Sequence, residues 1–392
     1  MENTKILLWG VSNITTNYGV EGIVRGTIQI IEEKVPNVEF YFQTESKPTR
    51  TQIRYNDLKN LTIESLLINE GKGFLGFLHR AFSFVIRKYI KKYLPLKNLG
   101  KYDYVLIIGG DLYTEGGKDK HWPYPWILLD KTKQLLNSSA KVFIWGASMG
   151  PFDNSNDKTI QSLKEHFEIC SGIFLREKGS LEYLSNKFKL NNLHLVSDPA
   201  FVMNVNNNSS NKKVLGLNIS PGPIEYVYGD EINHIIEIFR KFINSSINKG
   251  FKILLIPHVG RDFDFMSSVF KNELNNNNVS ILENNIGALE TKKAISDLFT
   301  LFATRFHCSI AGFSSNTPTT LLMSSPKGKK LLSSAYGNLD NGIDLNNISY
   351  KVLNERFNSI EKDRKEIVND LILNNKRIKK ESQKAGQIFI DL

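Results

Sequence analysis

Apolar and polar positions alternate along the chain in two registers, and the whole alternation occurs twice. In the first half, apolar runs at Ile6–Trp9, Val38–Gln43, Tyr104–Ile108, Val142–Trp145, Gly172–Leu175 and Leu193–Leu195 predict strands. Between them, apolar residues recur every three or four positions over Gly22–Glu33, Phe74–Leu94, Trp126–Leu136, Ile160–Ile169 and Ser180–Lys187, the spacing of amphipathic helices. Strands separated by helices in this order argue for a parallel, doubly wound sheet.

The run Asn206–Asn211 contains no apolar residue and reads as a linker. A second alternation follows it. Strands are expected at Val214–Asn218, Lys252–Ile256, Val279–Leu282, Phe299–Ala303, Thr319–Leu322 and Lys330–Leu332, and helices over Asp230–Asn248, Ser267–Leu274, Lys292–Leu298 and from Phe306 to Gly312. The stretch Glu355–Lys384 is charged and helix-compatible. The expected fold class is therefore α/β. Two Rossmann-like doubly wound domains occupy residues 1–205 and 212–354, and a C-terminal helical tail occupies 355–392. Two such units joined by a linker resemble the GT-B architecture of glycosyltransferases, in which ligands collect at the carboxyl ends of the strands.

Composition agrees with this picture. A chain of 392 residues, 41% hydrophobic and 23% charged, is globular and long enough for two cores. No stretch approaches the roughly 18 uninterrupted apolar residues that a spanning helix needs. No basic region and cleavage site precede the first apolar run, so no signal peptide is expected. Cys170 and Cys308 form neither a metal spacing nor a disulfide framework. The expected location is cytoplasmic.

Charge adds one local feature. Of the net +10, eight cations lie between Lys72 and Lys101 with no Asp or Glu among them, which leaves +2 for everything else. A protein that coats nucleic acid spreads its basic residues over several elements, so no nucleic-acid partner is expected. Within 72–97, Leu75, Leu78, Phe82, Val85, Tyr89 and Tyr93 share one helical face, and Arg80, Arg87 and Lys91 lie roughly opposite. Such a helix fits an anionic membrane surface, which would make the protein peripheral on the inner face of the cytoplasmic membrane. A core helix with a basic outer face needs the same apolar stripe, and both readings stay open.

Candidate chemistry sits where strands end. Thr304-Arg305-Phe306-His307 follows the strand Phe299–Ala303 and opens a helix. A helix start favours anions, Arg offers a permanently charged fork, and His exchanges a proton near neutral pH. By themselves these four residues also fit a capping threonine and a satisfied histidine. Other strand ends carry Asn17-Tyr18-Gly19, Gly109-Gly110-Asp111, Trp145-Gly146-Ala147-Ser148-Met149-Gly150-Pro151-Phe152, Arg176-Glu177-Lys178-Gly179-Ser180, Ser197-Asp198-Pro199-Ala200 and Pro257-His258. Ser324-Ser325-Pro326-Lys327 follows the strand Thr319–Leu322. His121 lies in an aromatic loop able to stack on a sugar, and His79, His166, His194 and His234 read as surface or packing residues.

In this order, from about Asn17 to Lys330, these segments resemble the polysaccharide pyruvyl transferase family. The resemblance implies a GT-B-like fold and transfer of the enolpyruvyl group of phosphoenolpyruvate onto sugar hydroxyls of a bacterial surface-polysaccharide precursor. The product is a cyclic pyruvate ketal, phosphate is released, and the acceptor is built on a lipid carrier. Two positions depart from the family pattern. Val20, followed by Glu21, stands where many members have an acidic residue, and Ser324-Ser325 stands where many have Tyr.

The residue types suit that chemistry. A donor with a carboxylate and a phosphate needs fixed cations, and Arg305, Arg176 and Lys327 are assigned to it. Protonation of the vinyl methylene leaves an oxocarbenium-like carbon, and His307 is the candidate general acid. Asp111, then Glu21, is the candidate for accepting hydroxyl protons, and Asn17, Tyr18 and His258 are assigned to the acceptor. Asp111 also fits a turn cap and Arg176 a structural ion pair. No two-His or Asp-x-Asp site is placed to hold a metal, so no cofactor is expected beyond phosphoenolpyruvate as co-substrate. The alternatives are a glycosyltransferase of the same architecture with a nucleotide-sugar donor, and a non-catalytic sugar-binding protein.

Overall fold

The structure is a computed structural model that describes residues 3–11, 16–44, 53–66, 96–115, 125–205 and 212–392. The basic segment 72–97 lies outside the described residues as far as 95, as do His79, His121 and the linker 206–211.

Seven strands form one sheet: β1 (Thr4–Trp9), β2 (Val38–Thr44), β3 (Leu61–Ser65), β4 (Tyr104–Ile108), β5 (Lys141–Ala147), β6 (Cys170–Leu175) and β7 (Leu193–Leu195). Their order is β3-β2-β1-β4-β5-β6-β7, and every pairing is parallel. Helices α1 (Tyr18–Glu32), α2 (Trp126–Leu129), α3 (Thr132–Leu136), α4 (Asp157–Glu168) and α5 (Lys178–Phe188) accompany it. The single helix expected over Trp126–Leu136 is thus two short ones.

Six strands form the second sheet: β8 (Val214–Asn218), β9 (Lys252–Leu255), β10 (Val279–Ile281), β11 (Thr300–Ala303), β12 (Thr319–Met323) and β13 (Gly342–Asp344). Their order, β10-β9-β8-β11-β12-β13, repeats that of the first six strands of the other sheet, again all parallel. Its helices are α6 (Pro221–Tyr228), α7 (Ile232–Asn248), α8 (Gly260–Val269), α9 (Gly287–Ser296), α10 (Phe306–Ser314), α11 (Pro326–Tyr336) and the long α12 (Tyr350–Asp391). The run Lys330–Leu332, expected as a strand, lies inside α11. Pro326 at the first helical turn and Gly337 (φ 77°) just past the end bound a helix there, and the edge strand follows at β13. Two Rossmann-like α/β domains with a C-terminal helix result.

By contacts, one unit holds Thr27–Asp198 with the flanking Met1–Thr15 and Gln383–Leu392. The other holds Pro199–Ser382 with Thr16–Gly26. The loop and first turns of α1 therefore belong with the second sheet. Each unit has its own apolar core. In the first, Val105, Ile107, Val142, Ile144 and Ile173 are fully or nearly fully buried with Phe167 and Leu184 of the helices. In the second, Leu215, Leu217, Ile253 and Phe302 meet Phe239 and Phe242 of α7 and Phe357 of α12. Phe302 stacks edge-on against Phe242, centroids 5.2 Å apart. Truncating it to Ala would cost about 3–5 kcal/mol, so the strand that leads into Thr304 stands on a stiff base.

Candidate active site

In a doubly wound sheet the strand order reverses direction at one point, and ligands gather beyond the strand ends there. In the second sheet that point lies between β8 and β11. Asn218, the last residue of β8, bridges it. Its Oδ1 accepts the Arg305 amide at 2.9 Å, and its Nδ2 donates to the Ile256 carbonyl beyond β9 at 2.8 Å. Thr304, buried after β11, accepts the Ser220 amide at 2.9 Å and donates to the Asn218 carbonyl at 3.1 Å. The hydroxyl of Thr304 thus ties neighbouring strand ends together. Arg305 itself occupies the N-cap position of α10.

The carboxylate that organises these loops is Asp262, in the first turn of α8 and fully buried. One oxygen accepts the amides of His258 and Val259, both at 3.0 Å. The other accepts the Ser220 hydroxyl at 2.5 Å and lies 3.5 Å from the Arg305 Nη2. Sequence reasoning missed Asp262, Asn218 and Ser220. The available signal was Ser220-Pro221, a helix start directly after a strand, and an Asp three residues past Val259 at the opening of α8.

Arg305 is held without being closed in. Its side chain is 27% exposed, its contact with Asp262 is long, and its Nε is buried with no hydrogen-bond partner. His307 stands in the first turn of α10, beside Gly19. A Cβ added at Gly19 would fall 2.6 Å from the His307 Cβ and ring, so no other residue type fits there without displacing the histidine. The Tyr18 amide donates to the His258 carbonyl at 3.1 Å, and the two rings meet edge-on with centroids 5.7 Å apart. Asn17 accepts the Gly19 amide at 3.0 Å. Burial, with His307 and Arg305 adding to it, pushes the His258 pKa down to about 3, so this ring is neutral at pH 7. Asn17, Tyr18, His258, Arg305 and His307 are therefore brought together in one unit. Glu21 joins them as a buried side chain that accepts the Ala288 amide at 2.9 Å and pairs with Arg25 at 3.0 Å.

The first unit presents its own strand-end group. Arg176, after β6, is buried. Its Nη1 donates to Asp198 at 2.7 Å, its Nε to Ser148 at 2.8 Å, and its Nη2 lies 3.6 Å from Asp111. Burial by itself lowers the Arg176 pKa, and the carboxylates of Asp198 and Asp111 outweigh it and hold the pKa above its usual value. Asp111 is about half exposed, just past β4 at the switch point of that sheet. The packing reading of His166 matches its place, fully buried between the Tyr113 hydroxyl (2.7 Å) and the Thr132 hydroxyl (2.8 Å). Lys327 stands in the first turn of α11, and its side chain lies outside what the structure describes.

No group of three or more His, Cys, Asp or Glu able to hold a metal occurs among the described residues. No helix among them is long and apolar enough to cross a membrane.

A family model of polysaccharide pyruvyl transferases matches residues 17–326, from the Asn17 loop through Arg305 and His307 to the start of α11. The chain belongs to this family. No curated protein matches it. Among solved structures, the family member is similar to the UDP-GlcNAc 2-epimerase of Neisseria meningitidis, with 10% identity, TM-score 0.54 and coverage of 100% of this chain and 99% of the other. It is also similar to a glycosyltransferase from Rickettsia africae, with 12% identity, TM-score 0.53 and the same coverages. At these identities the likeness shows a shared GT-B-like fold.

Proposed function

We propose that this family member transfers the enolpyruvyl group of phosphoenolpyruvate to hydroxyls of a sugar in a bacterial surface-polysaccharide precursor, forming a cyclic ketal and releasing phosphate. The observation that carries the reading is the pair Arg305, at the N-cap of α10, and His307, in its first turn, at the switch point of the second sheet. Arg305 has donor capacity left over, and the helix start adds its preference for negative charge, as a carboxylate or phosphate requires. His307 supplies a proton to the vinyl methylene, and the carbon left electron-poor accepts a sugar hydroxyl. Loss of phosphate and attack by a second hydroxyl close the ketal. His258 is neutral, and a neutral imidazole offers one donor and one acceptor to a sugar hydroxyl.

Asp111 is proposed as the acceptor of hydroxyl protons, ahead of Glu21, whose carboxylate is occupied by Arg25 and the Ala288 amide. Arg176 and Lys327 are proposed as further donor-binding cations. On sequence grounds alone, residues 72–97 are proposed to dock on an anionic membrane surface, where a lipid-linked acceptor would reside. Recovery in liposome flotation should rise when anionic lipid is included, and equal recovery without it refutes the docking.

The decisive assay is release of inorganic phosphate from phosphoenolpyruvate in the presence of a galactose-terminated lipid-linked acceptor. His307→Ala should abolish turnover and leave the urea midpoint unchanged. Turnover retained in that variant refutes the acid role, and wild-type protein inert toward phosphoenolpyruvate refutes the donor.

A further inference from the structure

The amino ends of the second sheet carry a feature to which the proposed function gives no part. Lys213 and Phe299 immediately precede β8 and β11, and the Phe299 amide donates to the Val214 carbonyl at 2.9 Å. β8 is five residues long, so this edge lies about 16 Å from the strand ends that hold Arg305. α12 passes beside it and is interrupted at Asp363, whose backbone leaves the helical region (φ −108°, ψ 16°). Strand edge and helix together line a cavity of about 520 Å³.

The wall is strongly one-signed. Lys213, Lys362, Arg364 and Lys365 face one carboxylate, Glu361, so four cations less one anion leave +3. Glu361 is itself engaged by Lys249 at 3.6 Å. Arg364 is half-buried and fixed in plane. Its Nε donates to the Phe299 carbonyl at 3.2 Å, and its guanidinium sits 4.7 Å over the Phe299 ring. It pairs with no carboxylate among the described residues, and burial lowers its pKa. Nor do Lys213, Lys362 or Lys365 enter an ion pair among those residues.

Holding four cations around a concavity costs self-repulsion, and a half-buried guanidinium loses hydration without a compensating charge. Each exposed lysine alone attracts a monovalent anion weakly. A compact polyvalent anion meets several at once, and the fixed guanidinium fork matches the geometry of a phosphoryl group. We propose that this cavity is a binding site for a compact polyanion of the phosphoryl class, separate from the site at the carboxyl ends of the strands. The proposal stands independently of the pyruvyl-transfer reading.

Inorganic pyrophosphate is the probe, titrated calorimetrically into the full chain at fixed ionic strength. Lys362→Gln with Lys365→Gln, both exposed, should weaken binding about tenfold or more, and Arg364→Gln should do the same. Arg305→Gln should retain the binding, because it alters the other end of the sheet. Equal affinity in wild type and the double lysine variant, loss of all binding in Arg305→Gln, or equal binding of sulfate overturns the proposal. Vesicles of phosphatidic acid added in competition separate two sources of the same chemistry. Displacement of pyrophosphate assigns the site to a phosphoryl headgroup, and its persistence assigns it to a free solute.

Discussion

Two sheets that share the order of six strands hold an arginine at a strand end in opposite ways. In the first unit Arg176 is buried and donates to Asp198 at 2.7 Å, with Ser148 taking Nε and Asp111 near Nη2. In the second, Arg305 is partly exposed, its nearest carboxylate is 3.5 Å away, and Nε has no partner. The carboxylates differ in the same sense. Asp198 closes directly on its arginine, whereas Asp262 gives its oxygens mainly to the amides of His258 and Val259 and to Ser220. One topology thus yields a fully paired arginine and one with donor capacity left over, and the choice depends on where the buried carboxylate directs its lone pairs.

The largest effect expected from this contrast is on stability. Arg176→Ala leaves Asp198 buried without its cation and should cost about 3–5 kcal/mol in urea unfolding. Arg305→Ala should cost about 1 kcal/mol or less and yet lower phosphate release about a hundredfold or more. Comparable losses of stability in the two variants would break the contrast.

A smaller effect is expected at Asp262. Asp262→Asn keeps an oxygen for one set of donors but places an amide where others need an acceptor, so a loss of about 1–3 kcal/mol is expected. Because three strand-end loops converge on this carboxylate, KM for phosphoenolpyruvate should rise as well. An unchanged KM in a destabilised variant would reduce Asp262 to a purely structural role.

Another buried cation, Lys292, sharpens the rule. Lys292 in α9 is almost fully buried and donates to the Met203 carbonyl. Burial, with Lys379 adding to it, pushes its pKa down from 10.5 to about 7. Between those values the unfolded chain holds a proton that the folded protein does not, so stability rises with pH across the window. The slope from this group is at most about 1.4 kcal/mol per pH unit. Lys292→Met should flatten the gain in urea midpoint between pH 7 and pH 9. Identical gains in the two proteins would show that Lys292 does not titrate there.

Both strands that sequence reasoning missed lie at sheet edges, although the edge strands β7 and β10 were expected from their short apolar runs. Tyr104–Ile108 and Val142–Trp145 lie inside the sheet, are covered on both faces, and read as apolar runs. The edge strands β3 (Leu-Thr-Ile-Glu-Ser) and β13 (Gly-Ile-Asp) carry polar residues among their apolar ones and gave no run to see. α6 was not expected either: it is only eight residues long and opens on Pro221 and Gly222, although proline in a first helical turn is well tolerated. The same division holds at the site. Arg305 and His307 announce themselves through residue type and position after a strand. Asp262 does not, because its importance comes from Ser220 and Arg305, each more than 40 residues away, and no local pattern encodes such a meeting.

The far end of α12 has a consequence for how the chain is made. Phe389 packs against Tyr104, Phe143 and Trp145, with ring centroids 4.7, 5.0 and 5.8 Å away. All three belong to strands β4 and β5 of the first unit, whose last strand ends at Leu195. At about 5–20 residues per second, the ribosome needs roughly 10–40 s more to travel from Leu195 to Phe389. For that interval the nascent first unit carries an aromatic surface without its cover, and a chaperone that holds such surfaces would find its client there.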